Sequence, residues 1–283
     1  MNSLTFSPVI IQRGSDMLTV VEITDNSKVT ARDIANIAAE QPHFPKYIPS
    51  NANAILLFHT EGGAFVLGGV RSNPALKDQH TKDGTSFPQQ INASLGGYSP
   101  NPNLPFREAL INSIKNKMFL NSDLPENGLE VQKILKEVCT KIENNDGWEE
   151  KVCVHTDKWL EKDTEKTMSV ITAVKHIHCS DSELAKIDAA LKVIMSIKKE
   201  EIASLGTLSE FKFVELQPII ANSLESHLED EITKATVAYE RFGDKVAVTF
   251  NYLAIATLVK NNAFKNNNLV YSKKGGNNGS INI

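Results

Sequence analysis

Two constellations in this sequence hold reactive residue types at spacings that matter. The first is "INASLGGYSPNPNLPFREALINSIKNKM", residues 91–118, where Gly96-Gly97 precedes Arg107-Glu108 at the start of an amphipathic helix. The stretch is either a metal-dependent catalytic loop and helix or a turn before a core helix. The second reading has a basis too, because Leu104, Leu110, Ile111, Ile114 and Met118 fall near helical spacing. The other constellation is Cys153 with His155 and His176 with His178, each pair two residues apart and so on one face of a strand. Strands paired in register would bring one thiol and three imidazoles together, ligand types that suit Zn²⁺. C-x-H and H-x-H are weak signals, however. Half-buried histidines bonded to polar neighbours are the favoured reading and zinc the disfavoured one.

The elements that must position these residues are legible in outline. "LTFSPVIIQRG" and "MLTVVEITD" are rich in β-branched residues and read as strands about a Gly14-Ser15-Asp16 turn. Thr30 is the expected N-cap of a helix over 30–41, with Ile34, Ile37 and Ala38 at helical spacing. "NAILLFHTEGGAFVLGGVRS" is two apolar runs around Glu61-Gly62-Gly63, a hairpin signal. A third run, "QQINASLGG", leads into helical patterns at 104–118 and 127–144. "EKVCVHTDKW", "TMSVITAVKHIH" and "EFKFVEL" read as strands, and "DSELAKIDAALKVIMSIKKEEIASL" as a helix before the last of them. Pro218 opens a helical C-terminal region, and the final Asn/Gly/Lys-rich stretch is expected to fray.

This order of hairpin, loop, glycine-ended strand and Arg-Glu helix resembles the Nudix hydrolase family. The family box is G-x5-E-x7-R-E-U-x-E-E-x-G-U, with U aliphatic. Gly97 resembles its opening glycine, Arg107-Glu108 its Arg-Glu pair and Ala109 the small or aliphatic position that follows. "AFVLGGVRS" is similar to the family strand that ends in an arginine, here Arg71, before the substrate loop. The resemblance covers roughly residues 52–216 and implies a mixed α/β (α+β) fold, a Nudix-like mixed-sheet sandwich with helices on both faces. It also implies a site in which Arg107 and Glu108 are catalytic and Arg71, Gly96 and Gly97 bind substrate. Glu108, Asn112 and the Gly97 carbonyl would hold Mg²⁺ or Mn²⁺ against a diphosphate.

The departures are equally specific. In the family three acids at i, i+3 and i+4 share a helix face, whereas here those positions are Glu108, Ile111 and Asn112, leaving one carboxylate. The loop "YSPNPNLPF" is shorter than the box requires and has no acid. Asp146, Glu149 and Glu150 in "NNDGWEEKV" are candidate replacements, with a solvated turn the favoured reading. Trp148 or Phe87 could stack on a nucleobase, although packing is the commoner use of such aromatics.

The expected function is a divergent metal-dependent hydrolase cleaving the pyrophosphate bond of a nucleoside diphosphate linked to another moiety. The alternative is a catalytically degenerate Nudix-fold module that binds a nucleotide-like ligand or a protein. Residues 1–50 read as an N-terminal β/α addition, 51–216 as the Nudix-like core, 217–262 as a helical extension and 263–283 as a flexible tail. A net charge of −4 disfavours nucleic-acid duplexes as partners. Three cysteines and no basic-then-apolar leader point to a cytoplasmic protein, with signal-less export left open. No apolar run is long enough for a membrane partner.

Overall fold

The computed structural model describes residues 4–13, 16–23, 28–40, 49–70, 91–92, 95–98, 104–118, 124, 126–161, 164–198 and 210–216. Nine strands form one mixed sheet: β1 (Leu4–Arg13), β2 (Asp16–Ile23), β3 (Pro49–Thr60), β4 (Gly63–Val70), β5 (Ile91–Asn92), β6 (Leu95–Tyr98), β7 (Lys151–Glu161), β8 (Thr164–His178) and β9 (Glu210–Glu215). Among the described residues four α-helices accompany them: α1 (Ala31–Ala38), α2 (Phe106–Lys117), α3 (Leu129–Glu143) and α4 (Asp181–Ile197). The order across the sheet is β1-β2-β7-β8-β3-β4-β5, with β6 also on β3 and β9 also on β4. The N-terminal strands therefore continue the sheet of the core, through β2 against β7.

The centre of the sheet is the parallel pair β3/β8, in which Ala52 lies opposite Ile171 and His59 opposite His178. Strands in such a position are buried on both faces and read as continuous apolar runs. "AILLF" at 54–58 obeys this, with every side chain fully buried. Alternate residues Ala54, Leu56 and Phe58 join Ala173 and Ile177 in one hydrophobic cluster. The helices add Ile34 and Ala38, Phe106, Leu110 and Ile114, Leu135, Val138 and Ile142, and Ile187, Leu191 and Ile194 to the same cluster. Each such Val, Leu, Ile or Phe side chain, removed from water, contributes roughly 1.5–3 kcal/mol before entropy is counted.

The second edge of β3 is shared. Near the hairpin turn it pairs with β4, Leu57 opposite Val66. Near its start it pairs with β6, Asn53 opposite Gly96 and Ala52 opposite Gly97. The hairpin expected about Glu61-Gly62-Gly63 is present, and Gly63 has φ +148. Within the 104–118 stretch, Phe106–Lys117 form a helix whose Phe106, Leu110 and Ile114 face the core, while Leu104, expected at a core position, lies before the helix and is exposed. Thr30 caps α1 and Ser180 caps α4, each in a reciprocal capping box, with Asp33 and Glu183 respectively. No helix among the described residues is long and apolar enough to cross a membrane. Residues 217–283, and with them the helical extension and tail, lie outside the described residues.

Candidate functional site

Gly96 and Gly97 sit within β6, and Arg107 and Glu108 in the first turn of α2. Arg71, the loop 72–87 and Phe87 lie outside the described residues. Helix α2, which carries the arginine, packs against β6 and β3. Gly97 is opposite Ala52, which is opposite Ile171, whereas the Trp148 that Arg107 covers bridges Lys175. From Ile171 to Lys175 is four residues along β8, about 13 Å at ~3.3 Å per residue. Glu108 and Asn112 are both exposed, one turn apart on the same side of α2. Ile111, at the remaining box position, is only partly buried and packs against the core.

Arg107 belongs to a different assembly. Its guanidinium lies 5.5 Å from the centroid of the Trp148 ring, and the Lys175 ammonium lies 5.5 Å from the same centroid. Both distances fit a cation over an aromatic face. The indole Nε1 donates to the Ile142 carbonyl at 3.1 Å, and Lys175 Nζ donates to the carbonyls of Asn144, at 2.6 Å, and Asp146. These are carbonyls at and just past the end of α3, where a helix leaves acceptors unsatisfied and its dipole favours a cation. Lys175 is 1% exposed. Burial, and then the Arg107 charge, push its ammonium down to about 8, against a smaller opposing effect of Asp146. Burial likewise lowers Arg107, with Glu150 opposing. Two cations and one indole thus close the C-terminal end of α3 and join it to β8 and α2.

The alternate residues of β8 build a second centre on the opposite face. His176 Nε2 meets Glu149 Oε1 at 2.5 Å, and His176 Nδ1 meets His59 Nε2 at 2.7 Å. His59 also stacks with His178 at a centroid distance of 4.9 Å. His59 and His178 are at the carboxyl ends of the two parallel strands, the end at which open α/β sheets place ligands. Burial chiefly, and then His176 and His178, lower His59 to about 4, so its ring is neutral at pH 7.

Cys153 and His155 do not join this centre. They are opposite Thr172 and Val170, and Thr172 is four residues, about 13 Å, from His176 along β8. Both are buried, which raises the Cys153 thiol and lowers His155 to about 3. The convergence of Cys153, His155, His176 and His178 considered from their alternation is therefore ruled out by register. Among the described residues no group of three or more His, Cys, Asp or Glu side chains has metal-holding geometry.

Sequence reasoning passed over His59 and Lys175. For Lys175 the signal was present, since alternation in "AVKHIH" puts it on the same face as buried Ile177. For His59 it was not, because only the parallel pairing of β3 with β8 brings "LLFHT" beside "KHIH". No protein-family model matches the chain, and no curated protein matches it either.

Proposed function

We propose that this chain is a Nudix-like module whose box helix has become a structural element, and that it binds a nucleotide-like ligand without hydrolysing it. The observation that carries this reading is Arg107 packed over Trp148. The arginine that the resemblance would assign to catalysis is held in a buried cluster that closes the end of α3. Ile111 and Asn112 replace the two carboxylates that would accompany Glu108. A lone carboxylate and an amide give a hard dication far less charge than an acid cluster does. Residues Arg71, Gly96 and Gly97 would then bind the phosphates of a nucleoside diphosphate derivative, with no cleavage to follow.

The hydrolase reading stays second, and one observation favours it. Glu108 and Asn112 are both exposed and one turn apart, so both are open to a hydrated Mg²⁺ or Mn²⁺. Calorimetric titration of Mn²⁺ separates the two readings. The structural reading expects no saturable binding in the wild type below about 1 mM, the weak end of protein carboxylate sites. It expects no change in Glu108→Gln and a new weak site in Asn112→Glu, which restores a second carboxylate one turn away. Saturation of the wild type at lower concentration, weakened about tenfold or more by Glu108→Gln, would sink it in favour of the hydrolase.

A further inference from the structure

Three chain segments end together around His176. The β3–β4 hairpin brings His59, the β8–α4 junction brings His176 and His178, and residues 147–150 bring Glu149. Backbone bonds tie the same segments. The Cys179 amide donates to the His59 carbonyl at 3.0 Å, the His176 amide to Gly147 at 2.7 Å and the Glu149 amide to Val174 at 3.0 Å. The hairpin turn also touches the start of α4, where the Gly62 amide donates to Asp181 Oδ1 at 3.4 Å.

The side-chain chain Glu149–His176–His59 obeys a strict proton count. An ionised carboxylate only accepts, so His176 Nε2 carries a hydrogen and donates to Glu149. With His176 neutral, its Nδ1 accepts from His59 Nε2–H. With His176 protonated, Nδ1 donates instead and His59 changes tautomer to accept, so the chain survives one proton. A second proton, on His59, puts a hydrogen on both facing nitrogens at 2.7 Å. The bond is then replaced by a contact between two donors and two cations, with the His178 ring stacked on the same imidazole.

We propose that Glu149, His176 and His59 form an acid-released clasp, which fastens the β3–β4 hairpin and residues 147–150 to the end of β8 and opens when the pair of histidines takes its second proton. The nearest other titratable and charged groups on the elements packed here are Glu61 in the hairpin turn, Glu150 beside Glu149, Asp181 and Glu183 in the first turn of α4, half-buried Cys179, Lys141 of α3, and Lys175, which is on the other face of β8 over Trp148. Lys141 Nζ donates to the His178 carbonyl at 3.3 Å and pairs with Glu183 at 3.3 Å. Burial first, and then the charges of His176 and His178, lower His59 to about 4 against an ordinary 6.5, so the second proton arrives only in acid. The sign follows from linkage. A histidine whose folded value is depressed contributes stability that is fully present above 6.5 and is lost as pH falls toward 4.

The test follows histidine ring signals and amide exchange by NMR from pH 7 to pH 4, with exchange corrected for its intrinsic pH dependence. The Cys179, His176 and Glu149 amides are expected to lose protection at least tenfold in step with His59 protonation, while Leu56 and Ile171 stay protected. In His59→Gln, whose side-chain amide can donate to His176 Nδ1 without titrating, the acid loss disappears. Protonation of His59 with no change at the Cys179 amide would overturn the clasp, and so would an equal acid loss in His59→Gln. If that variant does not fold, the wild-type comparison of His59 titration with Cys179 exchange decides by itself.

Discussion

Trp148→Ala lowers the free energy of unfolding by about 3–5 kcal/mol, the range for removing a large buried aromatic. The ring is 7% exposed and lies within the main hydrophobic cluster, so its removal leaves a cavity under α2 and α3. The Ile142 carbonyl loses its Nε1 donor, and Arg107 and Lys175 lose the aromatic face they share. Trp148→Phe keeps most of the apolar volume and part of the face but not the donor, so about 1–2 kcal/mol is expected. Urea unfolding of the two variants measures the difference. A loss below about 1 kcal/mol for the alanine variant would mean that the cluster does not hold these elements together.

Gly147→Ala is the second large effect, and its cause is backbone geometry. Gly147 has φ +81, a conformation that a side chain rarely adopts, and an added Cβ would lie 2.5 Å from the His176 carbonyl oxygen. Backbone must give way, and the nearest bond to fail is that from the His176 amide to the Gly147 carbonyl. Strain and the lost bond together cost about 2–4 kcal/mol. Gly62→Ala is the control, because its new Cβ meets only the Asp181 carboxylate at 3.0 Å, the end of a side chain that can move. Equal thermal stability of the two variants would contradict this account of Gly147.

The fold was legible where local chemistry dictates it. "AILLF" before Glu61-Gly62-Gly63 is a buried strand and hairpin on any reading, and Thr30 with Asp33 marks a helix start. The helix after Gly96-Gly97 was legible from its apolar spacing as well. Its meaning was not, because the use of Arg107 is decided by Trp148, a residue forty-one positions downstream by the numbering. By its sequence context Trp148 is either a base-stacking or a packing aromatic, and it packs under two cations. The histidines show the same limit. Alternation places His176 and His178 on one face, but their partners come from the parallel register with β3 and from Glu149, just before β7. Alternation also paired Cys153 with His155, and register carried them to another part of β8. Spacing within one strand fixes a face, whereas a site needs the pairing between strands.

The measurement that bears most directly on a ligand-binding module with a structural box helix is calorimetry paired with product analysis. The probes are ADP-ribose, nucleotide sugars, dinucleoside polyphosphates and nucleoside triphosphates, each with and without Mn²⁺. Saturable binding of at least one nucleoside diphosphate derivative is expected, of similar affinity with and without the metal, and no mononucleotide product after prolonged incubation. Mn²⁺-dependent release of mononucleotide, abolished by Glu108→Gln in a folded variant, would contradict it, and so would the absence of binding to every member of the set.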